Sequence, residues 1–72
     1  MDPFVQALAS LFDLEFRYQL ELLNGSDVLT EADCQVTRMH IANSRYAWSS
    51  QGYLELVSRV ERIEAYITTR DR

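Results

Sequence analysis

Only two residues in this chain are of the types that most often act as a catalytic base or a thiol nucleophile: His40 and Cys34. They lie six positions apart, so on one helix they point to different faces, roughly 120° apart. We therefore expect no Cys–His catalytic pair. Cys34 is interpreted as a small buried helix residue, and His40 as a histidine on the helix surface or in an interface.

The carboxylates and glycines suggest no other reactive site. Near the C-terminus, Glu55, Glu61 and Glu64 alternate with Arg59 and Arg62, a pattern typical of a solvated, charged helix face. The sequence has no zinc or calcium motif, and its two glycines are too few for a phosphate-binding loop. We predict no catalytic residue, no metal site and no cofactor, and therefore a protein that is not an enzyme.

Length and charge limit the remaining possibilities. A chain of 72 residues predicts one helical domain over residues 1–72, and a core of that size is only marginally stable by itself. One cysteine cannot form an internal disulfide, so oligomerisation or a bound partner is the expected means of stabilisation. A net charge of −4 argues against nucleic acid as the partner.

The N-terminus has no basic segment followed by an apolar run, so we expect no signal peptide. The longest apolar stretches are far shorter than the roughly 18 residues that a membrane span requires. We therefore expect a cytoplasmic protein that does not insert into a membrane.

The first helix is predicted over about residues 3–23. Asp2-Pro3 is a good helix start, and Asn24-Gly25 supplies a left-handed stop. From residue 13 to 22 polar and apolar residues alternate, which is typical of a strand, and Asn24-Gly25 would fit a hairpin turn. Helix is favoured because the segment consists mainly of helix formers and because residues 27–36 do not alternate as a partner strand should.

The second half of the chain carries an apolar ladder with a three–four spacing that starts after a capping box at Thr30-Glu31-Ala32-Asp33. The residues predicted to form the core on this ladder are Met39, Tyr46, Tyr53, Leu56, Val60, Ile63 and Ile67. Residues 49–52 are the weakest helix formers. They either break the helix, which gives three helices over about 3–23, 30–48 and 50–69, or they continue it as a helical hairpin. We favour the break; both alternatives are all-α.

The first helix has more apolar surface than one core contact requires. Apolar side chains cover roughly two-thirds of its circumference, and a solvated stripe is predicted at Gln6, Ser10, Asp13, Arg17 and Glu21. We expect the spare apolar side to bind a partner protein, together with a tryptophan near the predicted break. The residues predicted for this role are Phe4, Leu8, Leu11, Phe12, Phe16 and Trp48.

The C-terminal segment resembles a known family. Residues 51–67 open with Gln51-Gly52-Tyr53 and continue, after nine residues, with Ile63-Glu64 and then Ile67. This pattern is similar to the final helix of the small YscE-like proteins of bacterial type III secretion systems. The resemblance implies an antiparallel helical hairpin and a cytoplasmic co-chaperone. Its implied partners are a second, TPR-like chaperone and the aggregation-prone needle subunit that the two hold until export.

A second hypothesis is a homodimeric helical-bundle regulatory protein that binds RNA, DNA or a transcription factor. Nucleic acid would need a basic stripe. The available arginines are Arg38 and Arg45, seven residues apart, with Arg59 and Arg62 farther along the chain.

Overall fold

The fold is a bundle of three helices. A computed structural model describes residues 2–25 and 27–72, with α1 at Pro3–Asn24, α2 at Glu31–Asn43 and α3 at Ser50–Arg70. A 3₁₀ turn at Arg45–Ala47 links the last two helices. The all-α fold, the break before the last helix and the helical state of residues 13–22 are thus confirmed. The second helix ends five residues earlier than the predicted boundary at residue 48.

The helix termini follow the capping residues in the sequence. The Asp2 carboxylate accepts a hydrogen bond from the Phe4 N–H at 2.8 Å, and Pro3 occupies the first turn. Gly25 ends α1 with a φ of 68°, a conformation that glycine adopts at little steric cost. At α2, Thr30 and Asp33 form the predicted capping box. These caps satisfy backbone groups that have no partner within a helix.

At the start of α3 the cap is Ser49, and Ser50 is the first helical residue. The Ser49 hydroxyl accepts the Gly52 N–H at 3.0 Å. Any L side chain at position 52 would place its Cβ 3.1 Å from the Ser49 Oγ, so glycine leaves room for this cap.

The order of the contacts gives the direction of each helix. Ser10 meets Thr37 and Arg17 meets Asp33, so α1 and α2 are antiparallel. From the start of the bundle to its end, Phe4 meets Trp48, Glu15 meets Arg59 and Glu21 meets Arg70, so α1 and α3 run in the same direction.

The core lies between the inner sides of all three helices and the loop that precedes α2. On α3 the predicted ladder residues Leu56, Val60, Ile63 and Ile67 are buried, and Tyr53 is half-buried against them. The other buried apolar residues are Ala7, Leu11, Leu14, Leu29, Cys34 and Ile41. The chain exposes 4793 Å², close to the about 4,600 Å² expected for a folded monomer of 8.4 kDa. Its exposed apolar residues therefore do not result from an open fold.

The predicted core face of α2 is wrong. Met39 is 56% exposed and Tyr46 is 76% exposed. The side that is buried instead carries Cys34, Thr37, Ile41 and, just after the helix, Ser44. This side has the same three–four spacing, but two of its members are hydroxyl residues, so a search for apolar residues selects the opposite face.

Hydrogen bonds explain how α2 buries hydroxyls. The Thr37 Oγ1 lies 2.9 Å from the Ser10 Oγ of α1, which satisfies both groups. The Ser44 hydroxyl donates to the Ile41 carbonyl at 2.8 Å and accepts the Trp48 Nε1–H at 2.8 Å. A buried polar group is tolerated when it is paired in this way.

The sequence pattern predicted that the charged side of α3 is solvated, but some of these residues form ion pairs with the other helices. Arg38 of α2 binds Glu64 with Nη2 to Oε1 at 2.7 Å, and Arg59 binds Glu15 of α1 with Nε to Oε2 at 2.9 Å. These pairs join α3 to both other helices. They also raise the pKa of each arginine, chiefly through the hydrogen bond to its carboxylate.

No helix within residues 2–25 and 27–72 is both long and apolar enough to cross a membrane.

Candidate protein-binding surface

The outward side of α1 is apolar, although it faces solvent. Val5 is 50% exposed, Phe12 54%, Phe16 63% and Leu23 80%. These four residues follow one another at spacings of seven, four and seven, and the exposed residues Ala9 and Gln19 fill the gaps. A three–four alternation of this kind is the spacing of a coiled-coil seam. We call this surface, formed by Val5, Ala9, Phe12, Phe16, Gln19 and Leu23, the outer stripe.

The outward side of α3 provides an internal comparison. Its exposed residues include Glu55, Ser58, Glu61 and Arg62, with Leu54 as the large apolar exception. A surface helix normally presents such a polar side to water. The outer stripe of α1 therefore distinguishes this helix from α3.

The stripe predicted to be solvated on α1 lies beside α2 and at the end of the bundle. Glu21 is only 3% exposed, and Ser10 is bonded to Thr37. Arg17 pairs with Asp13 at 3.1 Å, as its i,i+4 spacing predicts, and contacts Asp33 at 3.6 Å. Polar residues of α1 thus mediate its packing against α2, while the apolar outer stripe remains uncovered.

The six predicted binding residues occupy four different environments. Phe12 and Phe16 lie on the outer stripe and are exposed, so a partner can reach them. Leu11 is fully buried, so its prediction as a binding residue is wrong; Leu8 is half-buried. The remaining two, Phe4 and Trp48, stack on each other with ring centroids 4.7 Å apart.

The Phe4–Trp48 stack holds the 3₁₀ turn against the start of α1. Trp48 packs on the core and donates its indole N–H to Ser44, while Phe4 remains 36% exposed. The Phe4–Trp48 stack therefore has a structural role in the fold. Residue types alone missed Val5 and Leu23, but the three–four spacing that links them to Phe12 and Phe16 was present in the sequence.

The two edges of the outer stripe differ in charge. On the edge toward α2, a groove of about 190 Å³ contains Asp13, Arg17 and Asp33, two carboxylates for one guanidinium. On the edge toward α3, Glu15 is accompanied by Arg59 and Arg62 around a groove of about 350 Å³. The negative charge thus exceeds the positive charge only on the side of α2.

A second apolar area lies on α2. Val36 is 46% exposed and Met39 56%, and Tyr46 in the following turn is 76% exposed. These are the residues that the sequence pattern placed in the core. They make α2 less polar on its outward side than α3.

The position of Cys34 in the bundle determines the protonation of its thiol. Cys34 is buried, and this burial, with the nearby carboxylates of Glu64 and Asp33, raises the pKa of its thiol from 9.0 to about 11. The thiolate that a nucleophilic cysteine needs is therefore scarce at neutral pH. Within residues 2–25 and 27–72 no three histidine, cysteine or carboxylate side chains form a group that could hold a metal ion.

The most perturbed carboxyl group is that of Glu21, at the end of the bundle that lies opposite Trp48. Its Oε1 accepts the Leu29 N–H at 3.2 Å and the Arg70 Nη1 at 2.8 Å. The neighbouring Tyr66 hydroxyl is the main cause that lowers the pKa of Glu21; burial opposes it, and Leu29 and Arg70 lower the pKa further. The group ties α1, the following loop and α3 together and has a structural role.

Comparisons of the chain with protein-family models, with curated proteins and with solved structures give no match. The exposed surface of α1 is therefore the feature from which a function can be inferred.

Proposed function

We propose that this chain is a small helical binding protein that uses the outer stripe of α1 to dock a helix of another protein. The observation that carries the proposal is the exposure of Phe12 and Phe16 at coiled-coil spacing on a helix that is already packed on its other side. Large side chains exposed in a continuous row are uncommon on monomeric proteins and mark interaction surfaces.

The energy available from this surface alone limits the strength of docking. Complete burial of a valine, leucine or phenylalanine contributes about 1.5–3 kcal/mol. The four large side chains are 50–80% exposed, so covering them contributes roughly 4–7 kcal/mol before losses of motion are subtracted. Because association costs about 4 kcal/mol or more, docking through this stripe alone is weak, and contacts outside it must add to the affinity.

A finer proposal is that the protein is a cytoplasmic co-chaperone of type III secretion, acting with a TPR-like chaperone on the needle subunit. It rests on the resemblance of residues 51–67 to YscE-like proteins. The residues that carry the resemblance have roles inside the bundle: Ile63 and Ile67 are buried, and Glu64 binds Arg38. Contact with the TPR-like partner is accordingly assigned to α1.

The nucleic-acid form of the regulatory hypothesis has less support. Of the four arginines that it requires, Arg38 and Arg59 are neutralised by Glu64 and Glu15, and Arg45 lies over the ring of Tyr53 at 4.2 Å. Phosphate binding depends on free positive charge. The other form of the regulatory hypothesis, a homodimer that binds a transcription factor, also requires an exposed apolar surface. The experiments below distinguish it from our proposal.

Site-specific photo-crosslinking in the native cell tests the proposal. Benzoylphenylalanine replaces Phe12 or Phe16, and in a matched control it replaces Ser58 on the outward side of α3. We expect one adduct of defined mass from positions 12 and 16 and none from position 58. Equal adducts from all three positions, or none from positions 12 and 16, contradict the proposal.

The same adduct tests the finer proposal. If the crosslinked protein is a TPR-like helical protein, and a small needle-like subunit is recovered in the same complex, the secretion assignment is supported. A crosslinked partner of another kind contradicts that assignment and leaves the binding function in place.

A further inference from the structure

We propose that the helix docked on the outer stripe carries lysine or arginine along the edge that faces α2, where it meets Asp13 and Asp33. This inference rests on the proposed function and adds the chemistry of the partner. The occupant is thus an amphipathic helix with an apolar seam and one basic flank.

The charges beside the stripe support this assignment. Asp13 is 62% exposed, and Asp33 is 31% exposed on the facing helix. Arg17 lies between them, 3.1 Å from Asp13 and 3.6 Å from Asp33, and cannot neutralise both. One negative charge therefore remains in the groove next to the seam, on a chain whose net charge is −4.

A second copy of this chain fits the surface less well. An antiparallel pair centred between Phe12 and Phe16 brings the Asp13 side chains of both copies to the same flank, where like charges repel. A parallel pair places Asp13 beside Leu8 of the other copy, which offers no counter-charge. A basic flank gives the carboxylates the partner that either self-pairing lacks, and it steers association through the acidic field of the chain.

The test uses two designed three-heptad peptides that share leucine at every a and d position. One peptide has lysine at e and glutamine at g, so that a single flank is basic, and the other has glutamate at e and glutamine at g. Fluorescence anisotropy of each labelled peptide is measured against the full chain at low and at high salt. We expect the lysine peptide to bind about tenfold tighter or more at low salt, and the ratio to fall as salt screens the flank.

Two single variants isolate the edge. Asp13→Asn removes one carboxylate from the groove and should weaken the lysine peptide about twofold to fivefold. Glu61→Gln is the matched control. Glu61 lies on α3, is 61% exposed like Asp13, and also contacts an arginine, Arg38. It should leave the affinity unchanged. Circular dichroism of both variants verifies that the fold is retained.

The double variant Phe12→Ser, Phe16→Ser separates this inference from the proposed function. If both peptides bind equally and both lose affinity in the double variant, the stripe docks helices but the basic flank is refuted. If the lysine peptide binds the double variant as well as the wild type, its binding is nonspecific and the inference fails. Binding of neither peptide also overturns it, as does sedimentation as a dimer that Phe16→Ser converts to a monomer.

Discussion

Phe16→Ser should leave the bundle almost as stable as the wild type, whereas Leu14→Ala should destabilise it strongly. Phe16 is 63% exposed, so it retains about a third of its burial, worth about 1 kcal/mol at most. Serine and phenylalanine have similar helix propensities, so the backbone adds little. Leu14 is 2% exposed, and a buried Leu→Ala change costs about 2.7–5 kcal/mol.

Urea unfolding measures this contrast, with helix content followed by circular dichroism and the turn before α3 followed by the fluorescence of Trp48. In thermal melts of the same variants, the predicted difference of about 2 kcal/mol or more corresponds to roughly 8 °C or more in the melting temperature for a domain of this size. If Leu14→Ala does not fold, Ile63→Val serves as a milder core change with an expected loss of about 0.5–1.5 kcal/mol. A Phe16→Ser variant as unstable as Leu14→Ala would refute the reasoning, because Phe16 would then belong to the core.

Three further predictions concern α2, the buried carboxyl and the thiol. Met39→Ser should change the free energy of unfolding by less than about 1 kcal/mol, and Ile41→Ala by about 2–5 kcal/mol; urea titration of the pair checks which face of α2 is buried, and the reverse order would contradict it. Because the pKa of Glu21 is held below its ordinary value of 4.5, the native state should lose stability as the pH falls below that value, and Glu21→Gln should reduce this slope in thermal melts at pH 3–7. An equal slope in both proteins would exclude Glu21 as its cause. Cys34 should react with an alkylating reagent at neutral pH only when urea unfolds the chain, since its thiol is buried with a pKa of about 11; mass spectrometry that finds rapid labelling of the native protein would disprove its burial.

The sequence was sufficient where short-range rules decide the structure. Asp2, Thr30 and Gly25 act as caps and stop because their effects involve neighbouring backbone groups only. The ladder on α3 was predicted correctly because its buried residues are all aliphatic and its outward side is mostly polar. Only one side of α3 can then be assigned to the core.

The face of α2 could not be predicted in this way. Two sides of this helix have three–four spacing, and the buried one includes Thr37, whose partner Ser10 lies on another helix. The pairing of Glu15 with Arg59 and of Glu21 with Arg70 likewise joins residues more than 40 positions apart. Such contacts depend on how the helices are arranged, which local patterns do not encode.

The binding surface could be predicted only in part, because it too depends on how the helices are arranged. An excess of apolar residues on α1 was visible, but only the packed bundle separates Leu11, which is buried, from Phe12 and Phe16, which face solvent. The distinction depends on which side of α1 meets the other helices.

The central claim is that Phe12 and Phe16 are exposed in the free chain and covered in its complex. Fluorine NMR tests it directly, because the chain has only three phenylalanines and the third, Phe4, stacks on Trp48. The resonances of fluorophenylalanine-labelled protein are recorded in H₂O and D₂O, both free and in the complex recovered by photo-crosslinking from Phe16. We expect a large solvent-isotope shift for Phe12 in the free protein that disappears in the complex, while Phe4 changes little. A Phe12 resonance that keeps its full solvent-isotope shift in the complex would contradict it.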